Sequence, residues 1–93
     1  MAVETADLQE RIRLAPGLLI AGRIKRARKD ASLSHDSLGE LMGGVTRQHL
    51  IKLEQAKHRP GARMLTRIAE ATGRPVEWFI DPDEDPSPFQ EAA

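Results

Sequence analysis

The chain has 93 residues, with 14 Lys and Arg, 14 Asp and Glu and no cysteine, so its formal net charge is zero. This length allows one hydrophobic core and no second domain, and the lack of cysteine excludes a disulfide framework and a thiolate metal site. The acidic N-terminus excludes a signal peptide, and no apolar stretch is long enough to span a membrane. We therefore expect a soluble, cytoplasmic protein.

Opposite charges are separated along the chain. All 14 basic residues lie between Arg11 and Arg74, together with only five of the acidic residues, so this segment carries a net charge of +9. The other acidic residues lie in the first ten positions and after Arg74. A basic segment between acidic ends is typical of a protein that binds a phosphate backbone. The alternative is that the basic residues only keep the domain in solution.

The first predicted helix covers residues 1–15. Thr5 is suited to cap this helix, Leu8 and Ile12 share one of its faces, and Pro16–Gly17 ends it. A helix this short is not stable alone, so its apolar face must pack on the rest of the domain or on a partner chain. The sequence leaves both options open.

Two short helices joined by a glycine turn form the middle of the chain, after a basic helix over residues 18–29. The first of the two covers residues 34–42, begins at Ser34 and stops at Gly43–Gly44. The second follows at once over residues 46–55. Two short helices around a tight turn, with a contact face on the second, form the helix-turn-helix pattern.

The helix over residues 46–55 has two different faces. Leu50 and Leu53 form a narrow apolar stripe. The rest of its surface carries Arg47, Gln48, Ile51, Lys52 and Gln55. Such side chains read base edges in the DNA major groove, because Arg pairs with guanine, Gln pairs with adenine and an apolar group contacts the thymine methyl. The alternative interpretation is an ordinary amphipathic surface helix.

The C-terminal part of the chain contains a further helix, a last turn and an acidic tail. Residues 62–72 have an amphipathic helical pattern, and residues 76–80 form a turn that carries Trp78 and Phe79. No segment shows the alternation of a strand, so we predict an all-α fold. Its predicted parts are an N-terminal helical extension (1–17), a helix-turn-helix domain (18–80) and a disordered, Pro-rich acidic tail (81–93).

A set of short motifs follows in order along the middle of the chain. They are Ile24-x-x-x-Arg28, Leu33–Ser34, Leu38–Gly39–Glu40, Gly43, Val45–Thr46–Arg47-x-x-Leu50-x-x-Leu53–Glu54, Pro60, Leu65-x-x-Ile68–Ala69, Gly73 and Val76–Glu77–Trp78–Phe79. With these motifs, residues 22–80 resemble the Cro/lambda-repressor-like helix-turn-helix family, the xenobiotic-response-element type of small bacterial and phage regulators. The resemblance implies a five-helix domain whose third helix enters the major groove of double-stranded DNA.

The resemblance also implies roles for individual residues. The residues that it places at base edges are Arg47, Gln48, Ile51 and Lys52. The residues that it places at phosphates are Ser34, His35, Thr46, His49, Gln55, Lys57, His58 and Arg59. It further pairs Arg28 with Glu54, and a charge beside the Leu50/Leu53 stripe needs a partner, so we expect this ion pair to be structural.

Four positions depart from the family pattern. The turn at Gly43–Gly44 is one residue longer than usual, which allows a different angle between the two helices. Gly39 replaces a common alanine and weakens its helix by up to about 1 kcal/mol. Ala56 replaces a C-capping glycine, which allows the third helix to continue into Lys57. Arg74 replaces an apolar residue, which predicts a shallower groove or an exposed edge there.

We therefore predict a sequence-specific DNA-binding transcriptional regulator, a phage or bacterial repressor. One short helix reads only a few base pairs, so we expect a homodimer, assembled on DNA, at a two-fold operator. The surfaces predicted for dimerisation are Trp78–Phe79–Ile80 and the Leu8/Ile12 face. We expect the protein to associate with the nucleoid.

The alternative function is a helix-turn-helix module for protein interaction, antitoxin-like or docking an acidic partner. The acidic tail is itself able to cover the basic surface. His35, His49 and His58 lack the spacing of metal ligands, and there is no phosphate-binding loop or serine elbow. We expect no enzymatic activity, metal, cofactor or small-molecule substrate.

Overall fold

A computed structural model describes the backbone of residues 2–84 and the side chains of residues 7–84. It contains six helices, α1 (Ala2–Leu14), α2 (Gly17–Asp30), α3 (His35–Leu41), α4 (Arg47–Glu54), α5 (Ala62–Thr72) and α6 (Glu77–Ile80). No strand occurs between residues 2 and 84, and the predicted all-α fold is confirmed. Most of the tail that we predicted to be disordered, residues 85–93, lies outside the described residues.

The central helix is α2, which contacts α4, α5 and α6. Its inner face is formed by Ile20, Ile24 and Ala27 at helical spacing, and all three are buried. The other helices contribute Ile12, Leu38, Leu50, Leu53, Leu65, Ile68, Trp78, Phe79 and Ile80 to the same core. Because each large apolar side chain that is fully buried stabilises the fold by about 1.5–3 kcal/mol, this one cluster holds all six helices together.

The N-terminal helix packs on its own domain, against α5. Ile12 is fully buried, and the Gln9 side-chain oxygen accepts a hydrogen bond from the first backbone N–H of α5, at Ala62 (2.9 Å). At the C-terminal end of α1, Arg59 donates to the carbonyl oxygens of Ile12 (2.7 Å) and Ala15 (2.6 Å). The sequence left open whether this helix packs on its own domain or on a partner chain, and the structure shows that it packs on its own domain.

The two surfaces that we predicted for dimerisation are used inside the chain. Trp78, Phe79 and Ile80 are buried in the core, and so is Ile12 on α1. These four residues are therefore not available for a dimer contact, because a chain with so few large apolar residues needs them for its own core.

Arg74 is buried, so the expected exposed edge at this position is also wrong. Its side chain pairs with Asp30, and its guanidinium carbon lies 3.8 Å from the centre of the Trp78 ring. Burial lowers the pKa of Arg74, and the nearby carboxylate of Asp30 only partly opposes this shift. The tryptophan face and the aspartate allow a cation to occupy a position that is usually apolar.

The longer turn between α3 and α4 explains the glycine within α3. The chain returns so close to α3 that a Cβ atom on Gly39 would lie 2.0 Å from the carbonyl oxygen of Val45. The Gly39 carbonyl accepts hydrogen bonds from the N–H groups of Gly44 (2.9 Å) and Val45 (3.0 Å). Gly43 and Gly44 have φ values of 90° and 103°, which suit glycine. Gly39 is thus more than the weak helix former that we expected, because alanine does not fit there.

Helix α4 ends at Glu54, and the expected continuation into Lys57 is wrong. Ala56 has a φ of 62°, in the left-handed region. The Lys57 N–H donates to the carbonyl of Lys52 (2.9 Å), and the Ala56 N–H donates to the carbonyl of Leu53 (3.2 Å). These bonds form a Schellman-type helix end, in which alanine takes the place of the usual glycine.

Candidate nucleic-acid interface

Helix α4 is fixed at its start and along one face. Thr46 caps it, because its hydroxyl oxygen accepts a hydrogen bond from the backbone N–H of His49 (3.3 Å). Leu50 and Leu53 are buried in the core. The helix therefore presents its opposite face outward in a defined orientation.

The residues predicted to reach base edges lie on this outward side of α4. Gln48 and Lys52 are exposed, and their side chains have no hydrogen-bond partner among the described residues. Ile51 is half-buried beside them. An amide, an ammonium group and a branched alkyl group thus share one surface, and each is a kind of group that contacts base edges in protein–DNA complexes.

Arg47, the fourth of these residues, has a partner that the sequence did not reveal. Its Nε lies 3.2 Å from Oδ1 of Asp36 in α3, and its Nη2 lies 2.6 Å from Oδ2. The two side chains are 57% and 60% exposed. The hydrogen bonds from Arg47 lower the pKa of the Asp36 carboxyl, so this group is charged at neutral pH. Only the folded path of the turn brings the two residues together.

Arg28 of α2 and Glu54 of α4 form a two-bond ion pair behind the candidate interface. Arg28 Nε lies 2.7 Å from Glu54 Oε2, and Nη2 lies 3.1 Å from Oε1. Arg28 Nη1 also donates to the carbonyl of Leu33 (3.0 Å). The side chains of Arg28 and Glu54 are only 10% and 6% exposed. This pair joins the last residue of α4 to the central helix and to the segment before α3.

Glu54 also contacts His35, the first residue of α3. The ring nitrogen Nε2 of His35 lies 3.2 Å from Glu54 Oε1. Burial alone would raise the pKa of Glu54, but the hydrogen bonds from Arg28 and His35 outweigh it, and the pKa is lowered. His35, which we predicted at a phosphate, is thus half-buried with one ring nitrogen at Glu54.

Several predicted phosphate contacts lie at the two ends of the helix-turn-helix unit. Ser34 is exposed and caps α3, because its hydroxyl oxygen accepts a hydrogen bond from the N–H of Ser37 (3.0 Å). Beyond α4, Lys57 and His58 are exposed, as is Gln55. The ring of His49 is half-buried, and its centre lies 5.9 Å from that of His58.

Arg59 differs from its neighbours in the same basic loop. We predicted it at a phosphate, but its Nη1 atom is bonded to the two carbonyl oxygens at the end of α1. Those carbonyls lie at the C-terminal end of α1, where the helix dipole attracts a cation. Nothing in the local sequence distinguishes Arg59 from Lys57 or His58.

Among residues 7–84, no group of three or more His, Asp or Glu side chains is close enough to hold a metal ion. No helix of the described part has both the length and the apolar character needed to cross a membrane.

The family of the chain follows from its similarity to known proteins. A family model described as helix-turn-helix matches residues 24–79, which is more than half of the chain. The chain belongs to the helix-turn-helix family. The predicted resemblance to the Cro/lambda-repressor-like helix-turn-helix family is thereby confirmed. An uncharacterized HTH-type transcriptional regulator of Methanothermobacter thermautotrophicus is 40% identical over 63 residues, which cover 67% of this chain and 90% of the relative. No solved structure gives a significant match.

Proposed function

We propose that this helix-turn-helix protein is a DNA-binding transcriptional regulator, a repressor that reads its operator through α4 in the major groove. The observation that carries the proposal is the outward face of α4. Gln48 and Lys52 are exposed there without partners among the described residues, on a helix whose other face is held by Leu50 and Leu53. Base-reading side chains on a rigidly held helix are what direct readout requires.

The charges around α4 support the same function. The segment from Arg11 to Arg74 contains all 14 basic residues of the chain. Ser34 caps α3 and Thr46 caps α4 at their N-terminal ends, and Lys57 and His58 follow the C-terminal end of α4. In the proposed complex these residues contact phosphates and fix the register of α4 in the groove. Such a regulator acts on DNA in the cytoplasm.

The proposed active species is a homodimer at a two-fold operator. Helix α4 has only eight residues, so one copy reads few base pairs, and a second half-site is needed for specificity. The dimer contact uses neither the Trp78 end nor Ile12, because both are buried. Among the described residues, the exposed large apolar side chains are Leu14 (67%), Leu18 (80%) and Leu41 (61%).

Selection of bound sequences from a random duplex pool at two salt concentrations tests this function. The expected result is a motif with two-fold symmetry, and an affinity whose logarithm falls linearly with the logarithm of salt concentration. The alternative function, docking of an acidic protein, predicts no motif. Recovery of motif-free sequences, or of no DNA at all, would contradict the proposed function.

A further inference from the structure

The pair of Arg47 and Asp36 uses only one side of the arginine fork. Asp36 accepts from Nε and Nη2 of Arg47, with distances of 3.2 Å and 2.6 Å. A guanidinium has five N–H donors, so Nη1 and the second hydrogen of Nη2 remain at its outer edge. Among the described residues, no group accepts a hydrogen bond from Nη1 of Arg47. The outer edge therefore has no acceptor among the described residues, on a side chain that is 57% exposed and held by Asp36.

The outer edge has the geometry of a guanine reader. Guanine presents two acceptors in the major groove, O6 and N7, and arginine binds both with two parallel N–H groups. We propose that Asp36 is a specificity-determining positioning residue, which holds Arg47 so that the outer edge of its guanidinium reads one guanine of the operator. This inference rests on the proposed function, because it requires α4 to lie in the major groove.

Asp36 should have two opposite effects on DNA binding, one on discrimination at a single base pair and one on the affinity for all DNA. A free arginine side chain has several rotatable bonds and loses this freedom when it binds, whereas an arginine that is already held loses less. At the same time, the Asp36 carboxylate lies near the proposed phosphate contacts Ser34 and Thr46 and repels DNA of any sequence. Asp36 should therefore raise discrimination at one base pair and lower the general affinity for DNA.

The test measures binding to three kinds of duplex. These are the duplex recovered from the random pool by the wild-type chain, its single-base-pair variants and an unrelated sequence. Arg47→Ala first identifies the base pair that Arg47 reads. At that base pair, the substitution should lower discrimination between the selected duplex and its variants by about 5- to 100-fold. Asp36→Asn should lower discrimination at that same base pair by roughly threefold to tenfold, and its affinity for the unrelated duplex should stay equal or rise.

Two controls separate positioning from charge. Glu40→Gln removes the same charge from α3, at an exposed residue whose side chain has no hydrogen bond among the described residues. It should leave discrimination at every base pair unchanged. Arg47→Lys keeps the cation but lacks the fork, so adding Asp36→Asn to Arg47→Lys should cause no further loss of discrimination.

The outcomes distinguish this inference from the proposed function. If the wild-type chain recovers no motif, the proposed function fails, and this inference fails with it. If it recovers a motif but Asp36→Asn leaves discrimination at the Arg47 base pair unchanged, only the role of Asp36 is overturned. Equal losses at all base pairs would also overturn it, because they would indicate a displaced α3 instead of a released Arg47.

Discussion

Gly39 in α3 and Val45 in the following turn approach each other so closely that no side chain fits between them. Two departures from the family pattern, the extra residue in the turn and the glycine within the helix, are thus one structural feature. The longer turn returns over α3, and the glycine makes room for its backbone. The start of α4 depends on this contact, because Thr46 and Arg47 follow Val45 directly.

Replacing Gly39 with alanine should destabilise the protein, although alanine is the better helix former by about 1 kcal/mol. The added methyl group must displace the Val45 backbone, and such overpacking costs about 1–3 kcal/mol. Gly22→Ala is the matched control, because Gly22 lies within α2 and a Cβ there meets nothing within 4 Å. In urea unfolding, the free energy of unfolding should rise for Gly22→Ala and fall for Gly39→Ala. A rise in the free energy of unfolding for both variants would contradict the close contact between Gly39 and the Val45 backbone.

Ala56→Gly should stabilise the protein by about 0.5–1 kcal/mol. Alanine in a left-handed conformation costs about 1–2 kcal/mol, and the greater freedom of glycine in the unfolded chain cancels part of the gain. Ala31→Gly is the control, because Ala31 ends α2 with an ordinary φ of −85° and gains nothing from glycine. Of the two substitutions, only Ala56→Gly should raise the melting temperature measured by thermal unfolding. A lower melting temperature for this variant would mean that Ala56 is not strained.

The ion pair of Arg28 and Glu54 should make stability depend on pH. The pKa of Glu54 is lower in the folded state than in the unfolded state, so the unfolded state binds more protons in this range. The stabilisation is complete above the ordinary glutamate pKa of about 4.3 and is lost as the pH falls through the folded-state pKa. Urea midpoints measured from pH 7 to pH 3 check this loss.

Glu54→Gln is the variant that isolates this contribution. At pH 7 it should lower the free energy of unfolding by about 3–5 kcal/mol, because Arg28 stays buried without its anion. Below pH 4 the difference from the wild type should shrink. Glu70→Gln, at an exposed carboxylate without a hydrogen bond among the described residues, should follow the wild-type curve. A constant difference at all pH values would argue against the charged pair.

Lys57 and Arg59 lie in one loop but should behave differently. Lys57→Ala should weaken binding to all DNA sequences and reduce the salt slope by about 0.9, the effect of one phosphate contact, without changing stability. Arg59→Ala should lower the free energy of unfolding by about 1–3 kcal/mol, because it frees the carbonyls at the end of α1. Salt titrations and urea unfolding of both variants check this. Equal changes of the salt slope and of the free energy of unfolding in the two variants would mean that Lys57 and Arg59 have the same role.

The helices and the face of α4 were predictable because their signals are local. Apolar spacing, the caps Ser34 and Thr46 and the stops at glycine or proline depend on residues within one or two turns. The pairing of Arg28 with Glu54 came from the family resemblance. The partners of Arg47, Arg59 and Arg74 were not predictable, since each partner is more than ten positions away and is chosen by the folded path.

The burial of Trp78 was missed, and the packing of Ile12 was left open, for a related reason. Apolar residues near the ends of a chain suit a dimer surface and a monomer core equally well. Only the packing of α1 on α5 and of α6 on α2 decides between them. The same packing brings Arg59, which we predicted at a phosphate, to the carbonyl oxygens at the end of α1.

The proposed role of α4 is tested most directly by parallel selections from a random duplex pool with the wild-type chain and with Gln48→Ala. The wild type should recover a two-fold motif, and the variant should lose its preference at one base pair in each half-site. Its affinity for the selected duplex should fall by about 1–3 kcal/mol, while its affinity for unrelated DNA should not change. An unchanged motif, or an equal loss of affinity for unrelated DNA, would contradict base reading by α4.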